Sequence, residues 1–179
     1  MNIKINMGCG KRNFGKDWIH IDKAKYEHID HHDIFNFPYK EINLIYASHL
    51  IEYLDRFEVI NLLQIWHNKL SSGGILRLAV PDFEVISKLY MLKKFKLDSF
   101  LGPLYGRMEM NDVKIYHKTT YDFDSLKKIL NDCGYINIKK WNHWEVDHGI
   151  HDDHSQAYLP HLDKKNGTLI SLNVECQKS

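Results

Sequence analysis

The chain is short of cysteine, of net charge and of long apolar runs, and each shortage excludes something. Cys9, Cys133 and Cys176 are odd in number and widely spaced, so they make neither a disulfide framework nor a CxxC zinc pair. The compartment they imply is a reducing cytoplasm. Lys and Arg total 24 against 23 Asp and Glu, a formal net charge of +1, which supplies no bulk attraction to nucleic acid or a membrane surface. Lys139-Lys140 and Lys164-Lys165 are too short to form a basic patch. No apolar run approaches the ~18 residues of a membrane span, and the chain opens as a strand rather than as a charged-then-apolar leader. No repeat, low-complexity stretch or linker interrupts the 179 residues, so one domain around one core is expected.

What is present begins at the amino end. Ile3-Lys4-Ile5-Asn6-Met7 alternates as a short strand does and runs into Gly8-Cys9-Gly10. A strand ending in Gly-x-Gly lets backbone approach a ligand, since neither glycine carries a Cβ and both tolerate positive φ. A second apolar stretch, Trp18–Ile21, ends in Asp22. An acid at the carboxyl end of a strand can accept both hydroxyls of a ribose. The dinucleotide fingerprint needs a third glycine at 13, where the chain has Asn13, and there is no Walker-type phosphate loop. The turn suits a nucleoside ligand without a pyrophosphate.

Further along, strands alternate with helices, the pattern of an α/β sheet. The Lys11–Asp17 link is too short for a crossover helix, because parallel neighbours usually need about a dozen connecting residues. A weak strand is expected near His28–His31 and a buried one over Asn43–Ala47. Asp55 with Glu58 makes a capping box for a helix carrying Val59, Leu62, Leu63, Trp66 and Leu70, closed by Ser71-Ser72-Gly73-Gly74. Ile75–Val80 reads as a strand stopped by Pro81. Asp82 caps a helix with Val85, Ile86, Leu89 and Tyr90 on one face. Residues 93–120 are irregular and aromatic-rich, a long loop or lid. Asp122 or Asp124 opens a third helix closed by Gly134. Tyr135–Trp141 is a strand, 142–167 is polar and histidine-rich, and Thr168–Cys176 alternates as a final strand.

In this order, Asn6-Met7-Gly8-Cys9-Gly10, Ile21-Asp22, Asp33-Ile34, Ala47-Ser48-His49, Leu70–Arg77 and Val80-Pro81-Asp82-Phe83 resemble the motifs of class I S-adenosylmethionine (SAM)-dependent methyltransferases. The wording is closest to small methyltransferases associated with surface-polysaccharide biosynthesis; His117-Lys118 and Ser155–His161 look familiar from the same group. The resemblance covers almost the whole chain. It implies a Rossmann-like fold with a mostly parallel seven-stranded sheet, an antiparallel last strand and helices on both faces, with 93–120 and 142–167 as lid or insert loops over the site.

Carried onto this sequence, the resemblance implies a cofactor site of Met7, Gly8, Cys9, Gly10, Asp22, Asp33, Ile34, Ala47 and Ser48. Gly8 and Gly10 would pass the methionine part, Asp22 would hold the ribose, Asp33 and Ile34 the adenine, and Ala47 and Ser48 would lie near the sulfonium methyl. Tyr53 stands where the family often has histidine, so no base is assigned there. The expected activity is methyl transfer from SAM, with S-adenosylhomocysteine (SAH) as product, to a small-molecule or saccharide acceptor, most simply O-methylation. His49 and His117 are the candidate bases, in keeping with the pKa range of imidazole. Cys9 reads as a small apolar filler. Two rivals stand beside this. His28-x-x-His31-His32-Asp33 and Asp147–His154 hold metal-ligand residue types, which suggests a metal-dependent hydrolase or a metal-assisted methyltransferase, though no fixed ligand spacing is present and no metal ligand is assigned. A non-catalytic SAM-binding module is the third reading. Acceptor identity and oligomeric state are open at this level.

Overall fold

Strand β1 (Lys4–Met7) lies at the middle of the sheet's parallel half, and the rest of the fold is registered on it. A computed structural model describes residues 2–110 and 112–179. Strands β2 (Ile19–Ile21) and β3 (Ile42–Ser48) pair with β1 on either side, both parallel. Next comes helix α1 (Glu58–Lys69), then β4 (Leu70–Pro81), parallel to β3. After α2 (Phe83–Met91) and α3 (Asp98–Tyr105) come the hairpin β5 (Met108–Met110) and β6 (Val113–Ile115), helix α4 (Phe123–Asp132) and β7 (Tyr135–Lys140). A two-strand ribbon, β8 (Tyr158–Leu159) with β9 (Thr168–Leu169), leads into β10 (Ser171–Lys178). The six-stranded sheet has the order β2-β1-β3-β4-β10-β7, and β10 runs antiparallel to both its neighbours.

Side-chain alternation fixes this register. Ile21, Met7, Ala47, Leu78 and Val174 are partners across five strands and all face the main core. The adjacent row, His20, Asn6, Tyr46, Arg77 and Glu175, faces the other way. A one-residue slip would drive that polar row into the core, where each buried aliphatic residue now contributes about 1.5–3 kcal/mol.

The main core lies under α1 and α4, through Val59, Leu62, Leu63, Trp66, Leu126 and Leu130. The α1 entry is set by the expected box: Asp55 Oδ1 accepts from the Phe57 and Glu58 N–H groups, and Glu58 Oε2 accepts from Asp55 N–H. Asp82 caps α2 by accepting from Val85 N–H, and Asp122, rather than Asp124, caps α4 in a reciprocal box with Ser125.

The other face is covered differently. Phe14, Tyr46, Ala79 and Trp141 form a separate apolar cluster with Trp18 and Val146 against it. One-turn 3-10 helices at His143–Glu145, Asp147–Ile150 and His154–Gln156 complete the cover. The short Lys11–Asp17 link leaves room there, and the histidine-rich segment fills it. His148 stacks on Phe14 and tilts against Tyr46, and Tyr46 Oη donates to buried Asp153 at 2.6 Å.

Several elements differ from the sequence reading. The sheet has six strands, because the weak strand at His28–His31 is reduced to one parallel bridge, Ile21 to His31. Ser71–Gly74 is not a helix cap but the irregular start of β4, where pairing with β3 shifts register. Tyr90 is half exposed rather than on the buried face of α2. Residues 93–120 contain α3 and the β5–β6 hairpin; Gly102-Pro103 reads as a break, yet both fit within the eight-residue helix. Among the described residues no helix is long and apolar enough to cross a membrane.

Candidate active site at the carboxyl edge of the parallel strands

The ends of β1, β2 and β3 meet at one edge of the sheet, the place where open α/β sheets bind ligands. Gly8 and Gly10 both take positive φ, +64° and +54°. A Cβ on Gly8 would come within 2.8 Å of Leu50, so the loop after β3 lies directly on the turn after β1. A Cβ on Gly10 would meet nothing within 4 Å, which leaves open space beside that backbone.

Asp22 ties the turn together. Its Oδ2 accepts from Gly10 N–H at 2.8 Å and its Oδ1 from Ala24 N–H at 2.7 Å. The residue is buried, and a carboxylate with about four acceptor sites keeps capacity for two further donors. Asp33 is exposed and uses Oδ1 to accept from Phe35 and Asn36 N–H, a local turn-capping role. The Met7, Ile34 and Ala47 side chains lie inside the main core, so these residues present backbone to the edge. Ser48 shares its face of β3 with Tyr46. Burial pushes the Cys9 thiol up to about 12, with Asp22 adding to the effect, so it is inert at neutral pH.

His49 follows β3 in the left-handed region, φ 51°, a conformation uncommon for non-glycine residues. Its N–H donates to Ala79 O at 2.8 Å, its Nδ1 lies 3.2 Å from Glu52 Oε1, and its Nε2 lies 3.4 Å from Ser171 Oγ. His117 reaches the same carboxylate oxygen from the segment after β6: Nδ1 is 3.1 Å from Pro103 O, and Nε2 is 3.9 Å from Glu52 Oε1. A carbonyl only accepts, so Nδ1 of His117 carries the proton. Burial holds His117 below the ordinary histidine pKa, against the pull of Glu52.

The structure therefore brings the two candidate bases, His49 and His117, onto one acid that the sequence reading passed over. Glu52 is wholly buried, and neither carboxylate oxygen has a hydrogen-bonding partner among the described residues. A buried orphan acid of this kind is costly. Tyr121 Oη is also buried without a partner, its pKa raised by burial and then by Glu52. The available signal was Glu52 as the one charged residue in the apolar run Leu50-Ile51-Glu52-Tyr53-Leu54.

The histidine clusters disperse. His28 lies by Cys9, His31 meets Tyr39 and His32 Nδ1 meets Asp22 O. His148 Nε2 lies 2.9 Å from Arg77 Nη1; arginine only donates, so this nitrogen is a bare acceptor. Burial and then the Arg77 charge lower the His148 pKa to about 4. Among the described residues no group of three or more His, Cys, Asp or Glu side chains is arranged to hold a metal ion.

No protein-family model and no curated protein matches the chain. Solved structures do. A SAM-dependent methyltransferase from Archaeoglobus fulgidus superposes with a TM-score of 0.59 at 14% identity, over 99% of this chain and 86% of that one. One from Mesorhizobium loti gives 0.52 at 16% identity, over 98% and 90%. The Burkholderia thailandensis 1,6-didemethyltoxoflavin-N1-methyltransferase, solved with SAH, gives 0.55 at 8% identity, over 99% and 71%. The chain has the Rossmann-like fold that these SAM-dependent methyltransferases share.

Proposed function

We propose that this protein is a SAM-dependent methyltransferase that O-methylates a hydroxyl of a small-molecule acceptor, with a saccharide as the favoured class. The observation that carries the reading is the convergence of His49 and His117 on buried Glu52, beside the Gly8–Gly10 turn. When bound, the cofactor supplies a methyl group on a sulfonium, a donor that is already activated. The open space at Gly10 and the spare acceptor capacity of Asp22 fit its methionine and ribose parts. Asp33 and the backbone of Ile34 would hold the adenine, and the backbone of Met7, Cys9, Ala47 and Ser48 would line the remainder.

The chain's own chemistry is that of a base. The imidazole of His49, whose Nδ1 lies 3.2 Å from Glu52 Oε1, would take the hydroxyl proton as the acceptor oxygen takes the methyl group. The imidazolium so formed is stabilised by Glu52. His117 is the second candidate base and shares the same carboxylate. Holding the acceptor in line supplies much of the acceleration. A non-catalytic SAM-binding module has no use for two histidines gathered on a buried acid, and the dispersal of the other histidines disfavours a metal-dependent hydrolase. Polysaccharide biosynthesis and a cytoplasmic setting are part of the same proposal.

Calorimetric titration with SAH, followed by a transfer assay from labelled SAM onto monosaccharides and matched amines, tests this. Binding of SAH with label on hydroxyl acceptors is expected. No SAH binding would overturn the cofactor, and label only on amines would overturn O-methylation.

A further inference from the structure

Net charge is evenly balanced over the whole chain but not along it. Residues 88–107 carry Lys88, Lys93, Lys94, Lys96 and Arg107 against one acid, Asp98. That is +4 in twenty residues of a chain whose total is +1, so the remainder is acidic. All five basic side chains are exposed. The same stretch exposes its large apolar residues. Leu97, Leu101 and Tyr105, 53%, 42% and 58% accessible, recur every fourth residue and form a stripe along α3. The adjoining face of α3 buries Phe100, with Leu104 against the same small core as Ile86, Leu89 and Ile170. At the end of α2, Tyr90, Met91 and Leu92 are also exposed, Met91 to 75%.

An apolar helix stripe that follows a lysine-rich turn and precedes Arg107 matches an anionic lipid surface: the basic side chains meet phosphate head groups while leucine and aromatic side chains enter the interface. A second copy of the chain fits poorly, because a two-fold contact lays the same patch on itself and opposes like charges. We propose that α3 and the lysine-rich turn before it dock the protein on an anionic membrane surface. This docking involves no membrane span. It also has a bearing on the site: Pro103 of α3 accepts from His117, and Gly106 at its end packs on the His117 ring. A docked α3 brings the His117 side of the site to the lipid. If the methyltransferase reading above holds, the acceptor hydroxyl is then carried on a lipid-borne head group.

Vesicle flotation tests the docking without any activity assay. The purified protein is expected to float with phosphatidylglycerol-containing vesicles, to stay behind with pure phosphatidylcholine, and to be released by high salt. The Lys93→Glu/Lys94→Glu/Lys96→Glu variant should bind on the order of a hundredfold more weakly. Leu97→Ser/Leu101→Ser should bind more weakly at unchanged charge, with folding checked by circular dichroism. No flotation with anionic vesicles, equal binding to neutral ones, or an unaffected triple variant would overturn the proposal. A concentration-dependent dimer abolished by Leu101→Ser would assign the face to a second copy and overturn it as well.

Discussion

Nδ1 of His49 lies 3.2 Å from Oε1 of Glu52, a side chain with no access to solvent. The acid follows His49 by three residues through a one-turn 3-10 helix at Ile51–Tyr53, so the pairing is built into the loop after β3. Glu52→Gln replaces the carboxyl group that faces both imidazoles while nearly preserving volume. Turnover should fall about 10²-fold, the low end of what a positioned base is worth, with SAH affinity unchanged. Steady-state kinetics beside calorimetry checks this; a matched loss of both would make Glu52 structural.

Asp22 holds the β1 turn and has capacity for two more donors. Asp22→Asn should weaken SAH binding by about 1.5–3 kcal/mol, the range for hydrogen bonds to charged groups. Calorimetry with the variant reads this directly, and an unaltered Kd would remove Asp22 from the cofactor site.

The two glycines of the turn should respond unequally to alanine. Both would bear the cost of positive φ, about 1 kcal/mol, but only at Gly8 does the new methyl meet Leu50. Gly8→Ala should lower Tm by several degrees more than Gly10→Ala, since about 1 kcal/mol corresponds to roughly 2–4 °C at this size. Equal shifts in thermal unfolding would contradict the close approach of Leu50.

Acid stability should depend on His148. Its folded pKa, about 4, is below the ordinary 6.5, so between these values the unfolded chain binds a proton that the folded chain refuses. Stability from this group is present above pH 6.5 and is lost as pH falls toward 4, up to about 3 kcal/mol. Urea unfolding at pH 7.5 and 5 should show a steeper loss for the natural chain than for His148→Gln. Parallel losses would mean that the imidazole is protonated in the fold.

The local features were legible in the sequence because they depend on neighbours a few residues apart. The Gly8–Gly10 turn, the Asp55–Glu58 box and the Asp82 cap follow from spacing and residue type; the mostly parallel order is what the family resemblance implied, and the one strand expected over Thr168–Cys176 is split at Ile170 into β9 and β10. Six strands in place of seven follow from tertiary pairing, since a lone bridge at His31 suffices where the chain turns back. The cover of the second sheet face was not legible, because it joins Phe14 and Trp18 to residues more than a hundred positions away. Glu52 and His117 meet for the same reason: 65 residues separate them, and only the fold brings the segment after β6 back onto the loop after β3. Local sterics and periodicity are enough to place most strands of the main sheet, the caps and the turn. Which polar side chains share a site depends on long-range packing, because the burial that makes Glu52 an orphan is a property of the assembled fold.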